Sequence, residues 1–382
     1  MPTLSEGENK TFLDVFKTHP HLDKRDNRGK RHELWFVLAG FILSLFRNKD
    51  GSLSRMHRGM CNMNEELCKS LGIETRPVVS RSELPLVLQN VDLSWFKVIL
   101  FDYFGMKLPD SATKWFACDG KELRGTIEKG TTKGEVTVMV ISHQERVTVA
   151  QDFYNGQKES EIVCVRSLLK DTGLEKQKIS LDALHFCPKT TEQIVNAGGT
   201  YLIGLKENQS ELYHHMKWIS TRLKAKAKWL QEEKGHGRVE SRKYQAFDVQ
   251  REDFHDRWQD ASLKTLVKVD RKIYNCKKCI FSTETAYYMS NQLITKDNSL
   301  EVFQAVRNHW QVEVSNNIRD NTLQEDAMKT LKNAVSRTVS TARTLVMNIL
   351  ETMNVKNIRA QLEKFADNFQ DLLTHLRAVN FL

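Results

Sequence analysis

The chain has 382 residues, of which 40% are hydrophobic and 27% charged, enough for more than one domain and in the ordinary range for a soluble globular protein. Its formal net charge of +9 favours a polyanionic partner, nucleic acid first, over charge that serves solubility alone. Seven cysteines, odd in number and mostly isolated, exclude a disulfide scaffold, and the longest apolar run, Leu34 to Phe46, is too short to cross a bilayer.

Met1 to Thr18 is mostly polar and lacks the continuous apolar core of a signal peptide, so the expected location is cytoplasmic. Phe12, Leu13, Val15, Phe16 and Leu22 are the main anchors of the first stretch. The basic run Asp23 to His32 reads either as a solvated face or as a phosphate contact. Helices are expected over Glu33–Phe46, Glu65–Leu71 and Leu84–Phe104, the last with a capped start at Ser80–Glu83. From about residue 108 the texture becomes mixed. Strands Trp115–Cys118, Val136–Ser142 and Val147–Phe153 suggest an antiparallel meander, with Asp119 at the end of the first strand.

A helix beginning near Glu159 or Ser160 leads to a short buried strand, Lys178–Leu181, which ends in Asp182. A helix capped by Thr190 or Thr191 stops at Gly198-Gly199 and is followed by strand Tyr201–Leu205. Residues 208–234 read as one long basic amphipathic helix carrying Lys217, Arg222, Lys224, Lys226 and Lys228. Strands around Val239–Val249, Leu263–Ile273 and Cys279–Met289 come next. Cys276-Lys-Lys-Cys279 reads as two strand-flanking thiols, since no second ligand pair stands near it. A strong helix over Ser299–Ile318 and a helical stretch from Met328 to Leu382 complete the chain. The parts are a helical segment 1–107, a mixed core 108–207, an inserted helix and β-rich segment 208–295, a core helix region 296–345, and a helical segment 346–382.

Two aspartates follow apolar strands in the same way, Asp119 before Gly120 and Asp182 before Ala183. Neighbouring strand ends are close in space, so the two carboxylates suit a shared metal. Glu313, on the helix expected over 299–318, is the best-placed third acid, and His309 lies four residues before it on the same face. Three converging carboxylates call for cations between them, magnesium being the natural choice, and such a pair of ions serves phosphodiester chemistry. The bland alternatives are an Asp-Gly hairpin turn at Asp119, a cap at Asp182 and a surface acid at Glu313. Lys121 and Arg124 read as site residues because no carboxylate partner for them is evident in the sequence. Arg238, Glu240 and Arg242 alternate onto one face of a strand, as a phosphate-contacting ribbon or as a salt-bridge ladder. Lys206 and Asn208 follow a strand and suit either a DNA backbone contact or a helix cap. Trp310 reads as a core residue.

The motif Asp119-Gly-Lys-Glu-Leu-Arg-Gly125 resembles the first catalytic motif of DDE-type insertion-sequence transposases, more narrowly the branch that includes the H-repeat-associated proteins. Further matches, in the family's order, are Ser180-Leu-Asp182-Ala-Leu-His185, Gly198 to Gln209, His236 to Arg242, and Arg307-Asn-His309-Trp-Gln-Val-Glu313 followed by Glu325-Asp326. Together they cover about residues 20 to 350. The resemblance implies an α+β protein with a ribonuclease H-like catalytic core, an inserted β-rich segment, a helical N-terminal domain and a helical C-terminal segment. It implies Asp119, Asp182 and Glu313 as catalytic and metal-binding acids for two Mg2+ or Mn2+ ions. Lys121, Arg124, His185, Lys206, Asn208, Arg238, Arg242, Arg307 and His309 would contact DNA. A homodimer would bind the terminal inverted repeats, cut at the ends and join the 3′ ends to target DNA, working at the nucleoid and not at a membrane. The alternatives are a metal-dependent nuclease of the same fold without strand transfer, or a domesticated or defective DNA-binding protein. Where many members carry an Asn and then Leu-His-Trp after the glutamate, this chain has Val314 to Asp320. A lysine found in related transposases seven residues after the glutamate is replaced by Asp320, which opens Asp320, Glu325 or Asp326 as alternative acids.

Overall fold

A computed structural model describes residues 10–47, 51–103, 108, 112–235 and 237–382. Helices form first where apolar residues crowd: α1 (Phe12–Thr18), α2 (Leu34–Arg47), α3 (Leu53–Ser70), α4 (Leu84–Gln89) and α5 (Leu93–Tyr103). The helix expected over 84–104 is two helices. Asp92 accepts the backbone N–H groups of Ser94 and Trp95 and so starts a second one, while Phe104 falls outside the described residues.

The meander follows as β1 (Trp115–Glu122), β2 (Glu135–Ser142) and β3 (Thr148–Asn155), then α6 (Glu161–Thr172), β4 (Lys178–Leu181), α7 (Pro188–Asn196) and β5 (Thr200–Leu205). Helix α7 begins before the Thr190–Thr191 start expected for it, with Pro188 in its first turn. After β5 come α8 (Ser210–Arg222), β6 (Ala227–Gly235), β7 (Arg238–Asp248), β8 (Thr265–Asn275), β9 (Ile280–Ser290) and α9 (Ser299–Asn321). Helices α10 (Asn333–Thr352), α11 (Ile358–Asp367) and α12 (Phe369–Ala378) close the chain.

One sheet holds every strand, in the order β3-β2-β1-β4-β5-β9-β8-β7-β6. Strands β1, β4 and β5 are parallel, while β2 pairs antiparallel with β1 and β3 antiparallel with β2, an order that matches the expected meander and crossovers. The inserted strands do not form a sheet of their own. β9 pairs antiparallel with β5, so the insertion continues the core sheet. That junction is short, Leu202–Leu205 against Tyr287–Ser290, whereas β7, β8 and β9 pair with one another along eleven residues. Residues 280–286 therefore run past the end of β5, and the arm they build with β7 and β8 overhangs that edge by about 23 Å.

The long helix expected over 208–234 ends at Arg222, and Ala227–Gly235 is a fourth inserted strand. Its Lys- and Glu-rich composition favours helix, yet its burial alternates with a period of two once it pairs with β7. Cys276 and Cys279 flank the β8–β9 turn as free thiols.

Two faces of the sheet are covered differently. Helices α6, α7 and α8 close one face over a core that includes Val138, Val165, Ile203, Met216 and Met289. Helix α9 crosses the other, touching β1, β2, β4 and β6. The first helices share a third core with α10, α11 and α12, so the two ends of the chain pack together. Among the described residues no helix is long and apolar enough to cross a membrane.

Candidate active site

Asp119 is not at a strand end. β1 runs on to Glu122 because β2 keeps pairing with it, Asp119 opposite Met139 and Glu122 opposite Val136. What ends at Cys118 is the pairing with β4, Cys118 opposite Leu181. Asp119 and Asp182 are thus the first residues beyond the β1–β4 ladder and stand side by side at the edge under the overhanging arm. The cap reading of Asp182 also holds, since its Oδ1 accepts the Leu184 backbone N–H at 2.9 Å and starts the 3-10 turn Ala183–His185.

Helix α9 brings the third acid along a stripe that follows β1. Val312 packs on Ala117, Asn316 Nδ2 donates to Asp119 Oδ2 at 3.1 Å, and Asp320 meets Lys121 Nζ at 2.7 Å. Four helix residues rise about 6 Å and two strand residues about 6.6 Å, so the two elements stay in register over this stretch. One turn before Glu313, His309 Nδ1 lies 3.0 Å from Ser180 Oγ, which is itself 3.0 Å from His143 Nε2. Burial, only partly opposed by Asp182, lowers His309 to about 4, and burial together with His309 lowers His143 to about 3. Both imidazoles are neutral at physiological pH.

A fourth carboxylate joins the group. Glu161, at the start of α6, packs against Gly120, where an added Cβ would come within 2.6 Å of its carboxyl. Tyr154 donates its hydroxyl to Glu161 Oε2 at 3.1 Å, and His185 Nε2 lies 3.2 Å from Oε1 and 3.9 Å from Asp182. A glutamate in a first helical turn reads simply as a favourable charge for the helix dipole. The clue that goes unused is Gly120, since a lone glycine inside a strand marks a close approach.

The acids act on one another. Burial, then the charges of Glu161 and Asp182, and more weakly Glu313, push Asp119 up to about 7 against a backbone hydrogen bond from Gly120. Burial also raises Glu313, with Lys206 opposing and Asp182 reinforcing the shift. Glu161 is the exception: burial would raise it, but the hydrogen bond and charge of His185 and the Tyr154 hydroxyl hold it below the usual range.

Asp320, Glu325 and Asp326 form a separate, paired set. Lys121 is only 6% exposed, and its Nζ lies 2.7, 3.6 and 3.1 Å from Asp320, Glu325 and Asp326. Arg319, 1% exposed, grips Glu325 with two hydrogen bonds of 2.8 and 2.7 Å, with Arg343 4.0 Å away. Burial would raise Glu325, but Arg319, Lys121 and Arg343 hold it at about 2. At Asp320 burial outweighs Lys121 and the carboxyl titrates above its ordinary value. The expectation that Lys121 and Arg124 lack carboxylate partners is corrected. Arg124 lies 3.7 Å from Asp326, which also accepts its backbone N–H. Gly125 seats this contact, for a Cβ there would lie 2.0 Å from the Met328 carbonyl oxygen.

The remaining expected residues divide. His185 touches Glu161 and Asp182, His309 feels the charge of Asp182, and the charge of Lys206 favours the ionised form of Glu313. Asn208 spends its amide on the Ala183 carbonyl at 2.7 Å, bracing the turn after Asp182, and it does not cap α8. On the arm, Glu240 is buried and takes Arg238 at 2.6 Å, Arg271 at 3.0 Å and Arg242; Arg242 also bonds Glu233 at 2.9 Å. That is the ladder reading, drawn inward instead of lying on a solvated face. Arg307 ties α9 to the same network through Glu233 at 3.5 Å, and His236 lies outside the described residues. Trp310 is not core: it is 47% exposed, with the Arg271 guanidinium 5.8 Å from its ring centre.

Among the described residues no three His, Cys, Asp or Glu side chains stand close enough to hold a metal ion. The donor chemistry still fits a hard divalent cation, because Asp119 and Glu313 are carboxylates raised in part by their acidic neighbours and a cation would offset that repulsion. A pH test follows. Asp119 titrates at about 7 in the fold against an ordinary 3.8, so its contribution to stability is full below about pH 4 and is lost as pH rises through about 7. Urea midpoints of the metal-free protein should fall across that window, and Asp119→Asn should flatten the decline. A wild-type profile that stays flat there would mean that the acids do not share a field.

The chain is 25% identical over 273 residues to the protein named "Putative transposase YncI" of Escherichia coli O157:H7, a match covering 69% of this chain and 68% of that protein. It is 27% identical over 128 residues to the protein of the same name from Escherichia coli (strain K12), covering 34% of this chain and 52% of the relative. It is also 28% identical over 215 residues, 52% of this chain and 70% of the relative, to "Uncharacterized protein in dhlA 3'region" of Xanthobacter autotrophicus. No family model matches the chain. The first two similarities relate the chain to proteins named as putative transposases.

Proposed function

We propose that this chain is a DDE-type transposase acting on double-stranded DNA, with Asp119, Asp182 and Glu313 as its catalytic acids. The observation that carries the reading is the sorting of charge. Asp320, Glu325 and Asp326 face Lys121, Arg319 and Arg343, whereas the acids at the β1–β4 edge raise Asp119 and are opposed chiefly by exposed Lys206 and by His185. Among the described residues no lysine or arginine lies within ion-pair reach of Asp119, Asp182 or Glu313, and carboxylates without a paired cation are suited to an added cation and a phosphate; a set held by lysine and arginine is suited to holding helices. Similarity to proteins named as transposases supports the same reading.

Asp119, Asp182 and Glu313 would hold Mg2+ or Mn2+ through their carboxylate oxygens, and bound ions would supply activation of the attacking hydroxyl and stabilisation of the leaving oxygen. The chain's own groups set the rest. Asn316 orients the Asp119 carboxyl through its amide. Ser180 fixes the His309 ring, which stays neutral and adds no charge beside Asp182. Glu161 and His185 brace the edge from the α6 side. Lys206, exposed beside Glu313, is free to meet a phosphate.

The test uses DNA carrying the sequences that flank the coding region, with Mg2+ or Mn2+, and a plasmid target. A transposase cuts at matching inverted repeats and joins pre-cut 3′ ends to the plasmid. Cutting without joining would instead assign a nuclease, and metal-dependent binding without cutting a DNA-binding protein.

A further inference from the structure

Helix α8 starts just after Lys206 and crosses the face of the sheet opposite α9 to reach β6, so its last turn lies about 20 Å from Lys206. There a groove of about 450 Å³ opens, lined by Trp218, Arg222, Leu223, Lys224, Lys226 and Asp248 among others. Its floor is unusual for a surface. Trp218 is 55% exposed and Leu223 47% exposed, although the neighbouring turns of α8 bury Met216 and Ile219. His215 stacks on the indole at 5.9 Å and 23°, and the Arg222 guanidinium sits 5.7 Å from the ring centre.

The groove's charges are unequal. Asp248 is taken by Lys226 at 2.6 Å, and Asp253 by the Gln250 backbone N–H at 2.7 Å, with His215 4.0 Å away. Among the described residues no carboxylate lies within ion-pair reach of Lys217, Arg222 or Lys224. A flat aromatic surface bordered by unspent cations complements a polyanion that also offers flat rings or sugars.

We infer that this groove is a second DNA contact, remote from the acids, in which Arg222 and Lys224 meet backbone phosphates while a base or deoxyribose covers Trp218. The inference rests on the transposase reading, which supplies DNA as the partner. It adds that bound DNA reaches the α8 side of the sheet as well as the acid edge.

Binding of a short fluorescein-labelled duplex and of its single strand, measured by anisotropy with the full chain in metal-free buffer, tests it without cleavage. The double variant Arg222→Ala, Lys224→Ala should bind at least about tenfold more weakly, and its slope of log affinity against log salt should fall by about two. Trp218→Ala should weaken binding by about tenfold with the slope unchanged. Trp218→Phe should keep affinity but lose part of the DNA-induced fall in tryptophan emission. If wild-type protein binds DNA and these variants match it in affinity and slope, the groove is not a DNA contact and the transposase reading stands. If wild-type protein binds neither DNA, both fall together.

Discussion

Asp119→Asn and Glu313→Gln are each expected to lower DNA-end cleavage by about a thousandfold or more, since electrostatic stabilisation by metal-holding carboxylates amounts to several kcal/mol of barrier. Binding of the ends should survive, because neither residue belongs to the cationic surfaces. Asp320→Asn is the control that gives this result its meaning. Asp320 contacts Lys121, and Lys121 keeps Asp326 at 3.1 Å when that contact is lost, so cleavage should stay within about tenfold of wild type. Initial rates on a pre-formed end substrate decide the matter. If Asp320→Asn abolished cutting while Glu313→Gln did not, the third acid would be Asp320. The same variants should separate in stability: Asp119→Asn removes a repelled carboxylate and should raise the urea midpoint of the metal-free protein above about pH 7.

Lys121→Met is expected to destabilise the fold by about 3 kcal/mol, because it leaves half-buried Asp320 without a counter-charge and takes one cation from Asp326 and from buried Glu325. Lys121 is nearly inaccessible and faces Asp320, Glu325 and Asp326 together, from β1 to α9 and the turn after it. Its loss should appear as a lower denaturation midpoint at unchanged m-value, and adding Asp320→Asn should recover part of it by removing one of the repelling charges. A Lys121→Met protein as stable as wild type would show that water reaches this cluster.

What the sequence disclosed follows from range. Asp119 and Asp182 were legible because each ends a local pattern of apolar run, acid and small residue, and parallel pairing of β1 with β4 turns that likeness into adjacency. Glu313 is a candidate because it shares one face of a helix with His309, and α9 does span both positions. Lys121 was misread because its partners lie about 200 residues on, and no spacing rule reaches that far. Strand β6 was hidden because Lys and Glu favour helices, and only its register with β7 overrides them. Trp310 reads as core from its apolar neighbours Val306 and Val312; it lies one turn beyond Val306 but about half a turn away from Val312, and there it meets Arg271 and stays 47% exposed.

The arm's attachment has a mechanical side. Its root is the four-residue junction of β5 with β9, while its own strands are joined along eleven, so it is stiffer within than where it is mounted. A lever of about 23 Å on so short a mounting converts a 10° tilt into about 4 Å at the tip. Helix α9 touches both sides of that mounting, reaching Glu233 of the arm through Arg307 and Asp119 through Asn316. Load on the arm is therefore felt by the helix that carries Glu313. Amide exchange in α9 should slow when DNA engages the arm, and a cross-link across the root would hold the two at a fixed angle.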